Sequence, residues 1–346
     1  MADSSNYLVQ EGLRALRRRL PPGWGVGEPQ SAPAPLDATA ELTAPGQRSG
    51  SVAIEVRTRL DPKGVAVLLS QARAPTSAPL VVVSRYLSSS TRQRLRERDV
   101  GYLDLTGNAH IVIAEPGLFI DTQGADEDPE RQERPARSLR GPKAGRVVRA
   151  LVAARRPPGV RELAAATKID AGYVSRVLAF LDAEALITRV GRGRIESVDW
   201  PALLRRWAKD APLESRGRIR TYLEPRGLPA LLSRLSKSGE TYAVTGTLAA
   251  ASFAPLAPAR LASIWVRDAA AAGESLDLRA ADAGANVLLL EPVDQSVFDG
   301  STQSSGIWYA APIQVAVDLL TSPGRGPAEG EEVITWMQAN EEAWRG

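Results

Sequence analysis

At 346 residues and 37.0 kDa the chain exceeds the usual single-domain range of about 100–200 residues, which points to two or three domains. It has no cysteine and one histidine, His110, which excludes disulfide scaffolds, thiol catalysis, Cys-based zinc sites and multi-histidine metal sites within one chain. The formal charge of +3 hides an asymmetry: residues 131–220 carry 21 Lys and Arg against 9 Asp and Glu, so a positive field sits in one segment and favours a polyanionic partner.

In chain order, the helical pattern "NYLVQEGLRALRRRL" comes first and is stopped by "PPGW". This basic start lacks the apolar stretch of a signal peptide. No run of about 18 apolar residues is present to span a bilayer, so a cytoplasmic protein with no membrane partner is expected. After "SAPAPLDATAELTAP" come the strand-like "SGSVAIEVRTRL", "APLVVVSRYL" and "VGYLDLTGNAHIVIA", interleaved with the helical "PKGVAVLLSQARA" and "SSSTRQRLRERD". Strands alternating with helices predict an α/β domain over residues 1–125. Within it Gly101, Tyr102, Asp104, Gly107 and Asn108 close a strand with a turn in which Gly and Asn tolerate positive φ, and His110 follows on the exit strand as a core or hydrogen-bonded residue. The polar, proline-bearing "DTQGADEDPERQERPARSLRGP" reads as a linker, residues 126–141.

A second domain is expected over residues 142–208. "PKAGRVVRALVAARRP" gives a helix with Val147, Val148, Leu151 and Val152 on one side, and "GVRELAAATKI" gives another. In "DAGYVSRVLAFLDAEALITRVGRGRI", Asp170 stands at the N-cap position and Val174, Val177, Leu178 and Leu181 form one buried stripe. Tyr173, Ser175 and Arg176 then point elsewhere. Two extended arms around the turn Gly191–Gly193 read as a hairpin. Helix, helix, turn, helix and hairpin make a winged helix-turn-helix, whose third helix enters the major groove of double-stranded DNA. Tyr173, Ser175 and Arg176 would meet base edges, and Arg189, Arg192 and Arg194 would meet phosphates from the wing. The last domain, residues 215–346, mixes "TYAVTGTLAAASFAPL", the strands "LASIWVRD" and "ANVLLLEP", and the helices "AAPIQVAVDLLTSP" and "GEEVITWMQANEEAWR".

Five segments resemble known families. "VSRVLAFLDAEALITR" resembles the IclR- and MarR-like winged helices of bacterial regulators over about 60 residues, which implies a DNA-binding fold with a basic wing. Asp37 and, 18 residues on, Glu55 and Arg57 in "IEVRTRL" resemble the D…ExK pattern of the restriction-endonuclease-like family. In that family two carboxylates hold Mg²⁺ and a lysine helps activate water. Arg57 occupies the lysine position, and a guanidinium with a pKa above about 12 does not act as a base. The alternation around Glu55 is also that of any half-buried strand, so a nuclease-like fold without robust cleavage is expected. "RYLSSSTRQRLRERDVGYLDLTGNAHI" resembles a segment of actinobacterial and proteobacterial regulators that join such a domain to a winged helix.

"YAVTGTLAAASFAPLAPARLASIWV" and "WYAAPIQVAVDLLTSPGRGPAEGEEVITWM" resemble the C-terminal region of AbiEi-type antitoxins and related nucleotidyltransferase-like domains. The Gly246 loop could cradle an anion, but the paired carboxylates of a transferase are missing and only Asp268 follows.

The fold class expected is therefore α/β and α+β multidomain: a nuclease-like α/β domain, a central winged helix-turn-helix and a nucleotidyltransferase-like α/β domain. The function expected is a sequence-specific transcriptional regulator, antitoxin-like in one version. It would act as a homodimer without cofactor or metal, with a toxin or a small-molecule effector as a further partner. The alternatives are a metal-dependent nuclease using Asp37, Glu55 and Arg57, and a protein-interaction scaffold. Candidate dimer stripes are Leu13, Leu16 and Leu20 at one end and Val333, Trp336 and Trp344 at the other.

Overall fold

The computed structural model describes residues 2–71, 78–129, 138–190, 194–254 and 258–346. Two large mixed sheets and 14 helices among these residues make a mixed α/β protein, and none of the helices is long and apolar enough to cross a membrane. The chain divides into two compact units, Met1–Arg134 with Asp182–Ala185, and Pro135–Leu181 with Leu186–Gly346.

The first unit holds α1 (Ala2–Arg17), β1 (Gly25–Val26), β2 (Ala38–Thr43), β3 (Ser49–Val56), α2 (Pro62–Gln71), β4 (Leu80–Ser84), α3 (Ser89–Arg96), β5 (Gly101–Asp104), β6 (Ala109–Ile113) and β7 (Leu118–Thr122). Its seven strands lie side by side in chain order. β1, β2 and β3 are antiparallel neighbours, β3, β4 and β5 run parallel, and β6 and β7 return antiparallel. The parallel steps need crossovers, which α2 and α3 supply. Leu8, Leu13 and Leu16 of α1 cluster with Val52, Ile54, Val81 and Val83, whereas Val65 and Leu68 of α2 and Leu95 of α3 cluster with Val82 and Tyr102. Both faces of the sheet are thus covered, so β3 is buried from Val52 to Val56. This corrects the half-buried reading of that strand. It also corrects one dimer stripe, since Leu13 and Leu16 belong to the core.

The second unit begins with α4 (Pro142–Ala153), α5 (Val160–Thr167), α6 (Ala171–Ala183), β8 (Ile187–Val190) and β9 (Arg194–Val198), which pair as an antiparallel hairpin, and α7 (Trp200–Asp210). There follow α8 (Leu213–Arg216), β10 (Gly217–Leu223), α9 (Leu228–Leu235), β11 (Tyr242–Thr245), α10 (Gly246–Ala250), β12 (Ala262–Val266), α11 (Ala269–Ser275), β13 (Arg279–Ala280) and β14 (Val287–Pro292). A 3₁₀ turn (Gln295–Phe298) leads to β15 (Thr302–Ser304), β16 (Ile307–Tyr309), α12 (Pro312–Leu320), α13 (Gly326–Ala339) and α14 (Glu341–Trp344).

Strands β10 to β16 form one sheet ordered β13-β10-β14-β12-β11-β16-β15, in which β12–β14 and β11–β16 are parallel and the other neighbours antiparallel. Helix α12 is buried at every residue from Ile313 to Leu319, as its nearly unbroken apolar sequence requires. One apolar cluster runs from Leu139 and Val147 through Leu178 and Trp207 to Leu289, Val317 and Met337, so the helix–hairpin segment and the sheet share a core. Val333 lies inside it, and Trp336 and Trp344, partly buried, pack against it, so the second candidate stripe faces the core.

Candidate nucleic-acid interface

Helix α5 starts where the Gly159 N–H donates to the Glu162 carboxylate at 2.9 Å, and it ends at Lys168, whose φ of 55° is left-handed. The turn to α6 is only three residues long. Its last member, Asp170, accepts from the Tyr173 N–H at 3.0 Å and so fixes the start of α6. Val174, Val177, Leu178 and Leu181 are buried, which leaves Gly172, Ser175, Arg176 and Ala179 exposed on the opposite face. Tyr173 is half-buried and packs on the core, and burial pushes its phenol pKa up. The Arg176 guanidinium lies 5.7 Å from the centre of that ring and the Lys143 ammonium 5.9 Å. Tyr173 therefore serves as an anchored platform beside two cations, and Ser175 and Arg176 are exposed.

On the hairpin Ile187 pairs with Val198 and Thr188 with Ser197, and a bulge before Arg189 shifts the register so that Arg189 faces Ile195 and Val190 faces Arg194. Cross-strand partners share a face, and Ile195 is a core residue. Arg189 is accordingly half-buried with its Nε shielded from solvent, whereas Arg194 is exposed. Arg192 lies outside the described residues.

Asp37 and Glu55 lie near one another at the β2–β3 pairing. Asp37, just before β2, accepts from the Val56 N–H through Oδ2 at 2.7 Å, and the buried Glu55 pairs through Oε1 with Arg57 at 2.5 Å. Burial pushes the Glu55 pKa up; Arg57 opposes this and the nearby Asp37 adds to it. These residues do not fit a Mg²⁺ site. The cation at the lysine position already neutralises Glu55, one Asp37 oxygen is committed to the backbone, and no group of three His, Cys, Asp or Glu that could hold a metal is found among the described residues.

His110 is half-buried between Tyr102 and Phe119, with Nδ1 3.6 Å from Asp121. In the second unit Gly246 takes φ 66° between β11 and a five-residue helix, too short a helix to cradle an anion. Asp268 is exposed and caps α11, accepting from Ala270 and Ala271, and those bonds hold its pKa below the usual carboxylate value.

No family model matches the chain, and no curated protein or solved structure matches it either. Its chemistry is therefore read from its own residues. Two further groups are prominent: Asp104, which the sequence places in the turn after β5, and Arg149, which the sequence does not single out. Asp104 accepts from the backbone of Leu87, Thr106 and Asn108 and from both of the latter side chains, which locks the turn after β5. Arg149 of α4 reaches Gln314 of α12 and lies 4.8 Å from the centre of the Trp207 ring. Its spacing of three from Arg146, which pairs with Asp294 at 2.6 Å, was the available signal that this face of α4 meets another element.

Proposed function

We propose that the protein is a sequence-specific DNA-binding transcriptional regulator that reads the major groove with α6 and the backbone with the β8–β9 hairpin. The observation that carries this is the exposed Ser175–Arg176 face of α6, ordered against a buried stripe and followed directly by a hairpin that presents Arg194. This face lies in the most basic segment of the chain. Its flanks are read as a nuclease-like fold, on the strength of a helix, three antiparallel strands, a crossover helix and a parallel strand, and as a nucleotidyltransferase-like sheet of the antitoxin kind. A single such module covers about 600–1,000 Å², so a homodimer on an inverted repeat supplies the specificity.

Footprinting and binding titrations test this. Protection of two symmetric half-sites is expected, with affinity falling by about 10³–10⁵ between 50 and 200 mM salt if 6–10 phosphates are engaged. Arg194→Ala weakens binding to all sequences alike, and Arg176→Ala removes about 1–3 kcal/mol of discrimination. A flat salt profile with both variants unchanged would sink the proposal and favour a scaffold.

A metal-dependent nuclease is the second reading, favoured by the proximity of Asp37 to Glu55, whose Oε2 has no hydrogen-bond partner among the described residues. Duplex DNA is expected to stay intact with Mg²⁺ or Mn²⁺, because Arg57 offers no base. Cleavage that Glu55→Ala abolishes would install the nuclease instead.

A further inference from the structure

A cavity of about 890 Å³ opens in the second unit between α4, the end of α5 and the segment from the 3₁₀ turn to α12, with α13 and α14 closing one side. Its size suits a small organic ligand. One wall is aromatic: Phe253 and Trp336 lie with ring centres 4.7 Å apart, and Tyr309 and Trp344 stand beside them. The charged lining is Arg146, Arg149 and Lys168 against Asp299.

Arg149 is the unusual member. Its hydrogen-bond partners are neutral, the side-chain oxygen of Gln314 and the carbonyl of Ser296 at 3.4 Å, and its Nη1 is buried with no partner among the described residues. The neighbouring Arg216 takes the nearest buried carboxylate, Asp318, at 2.5 Å. Burial first, and Arg216 second, lower the Arg149 pKa to about 10, which leaves it cationic at neutral pH. A largely buried cation with an unused donor and a tilted aromatic pair lining the same cavity suit an anion with a flat apolar body.

We infer that this cavity is a binding site for a small aromatic anion, a carboxylate or a phosphate ester, whose acidic group meets Arg149 and whose ring lies along Phe253 and Trp336. Thr167 and Lys168, the end of α5 and its left-handed cap, line the same cavity and lead within three residues into α6. Occupancy therefore restrains the turn that sets α6. Its value as regulation rests on the DNA-binding reading, but both the binding and the restraint are measurable without DNA.

The test is calorimetric titration of the full chain with 2-naphthoate, with 2-naphthyl phosphate and with the neutral 2-naphthamide, followed by amide hydrogen exchange over residues 167–174. At least one anion is expected to bind saturably and at least about tenfold more tightly than the amide, which identifies the preferred acidic group. Exchange in the turn slows with that anion. Arg149→Gln removes the preference for the anion. Ala166→Phe, at an exposed position on the rim, weakens binding about tenfold or more and keeps the test valid should Arg149→Gln not fold. No saturable binding by either anion, equal affinity for the amide, or unchanged exchange in the turn would overturn the inference. Unaltered ligand binding in a chain that ignores DNA would overturn only the regulator.

Discussion

Glu55 in the first unit and Asp318 in the second are each only 1% exposed, yet they are held in opposite ways. Asp318 accepts from Arg216 at 2.5 Å and Gln314 at 2.6 Å on one oxygen, and from Thr245 at 2.6 Å and Trp265 at 2.7 Å on the other. Glu55 has Arg57 on one oxygen and, among the described residues, no hydrogen-bond partner on the other. A buried carboxylate with a full set of donors ties elements together and has no capacity left for chemistry. One with an open oxygen is costly as an anion, and its raised pKa expresses that cost. The second unit is thus pinned at its centre by side-chain bonds, whereas the first keeps an acidic corner on a strand held by its ladder to β2 and β4 and by packing.

Replacing the pinned carboxylate should have the largest effect. Asp318→Ala leaves the Arg216 guanidinium, the Trp265 indole and the Thr245 hydroxyl without their acceptor, and a loss of about 3–5 kcal/mol is expected. Six of the seven tryptophans lie in the second unit, so the denaturant midpoint by tryptophan fluorescence reads it directly. A loss below 1 kcal/mol, in the range of an ordinary surface change, would break the contrast. Asp104→Ala tests whether a full donor set has the same weight in the first unit. About 2–3 kcal/mol and faster amide exchange in the turn from Asp104 to Asn108 are expected, since several buried donors lose their partner.

The smallest effect belongs to Glu55→Gln, expected to change stability at neutral pH by under about 1 kcal/mol in either direction, because the charge removed was poorly accommodated. Its signature is the pH dependence. With a folded pKa above the ordinary 4.5, the native state holds the Glu55 proton more tightly than the unfolded chain. That contribution is fully present below pH 4.5 and is lost as pH rises through the raised value. The stability of Glu55→Gln relative to the parent should therefore climb across this window. Identical profiles would mean that Glu55 ionises in the fold as freely as in the open chain.

Much of the local structure was legible in the sequence. The stripe of Val174, Val177, Leu178 and Leu181 and the cap at Asp170 are short-range signals, and α6 obeys them. The strands ending at Val56, Ser84 and Val266 were visible as β-branched runs. Strands β7 and β10 and helix α7 were passed over. β10, "GRIRTYL", gains its place by pairing with β14 and β13, some sixty to seventy residues later, which composition does not announce. For α7 the signals were present in Asp199 as cap and in the stripe Trp200, Leu203, Leu204, Trp207. The half-burial of Arg189 follows from the bulge that sets it opposite Ile195, which nothing in the local sequence announces.

By itself the sequence determined where helices start, which of their faces are apolar, where positive charge accumulates, and that position 57 carries a cation unable to take a proton. Those properties depend on neighbours within a few residues. The tertiary structure decided which polar groups are satisfied. Asp318 meets Arg216 and Thr245 across separations of 102 and 73 residues, and Arg149 reaches Gln314 across 165. The fate of each depends on how many donors the packed core brings within about 3 Å, and that number exists only once the sheet of the second unit has closed over its helices.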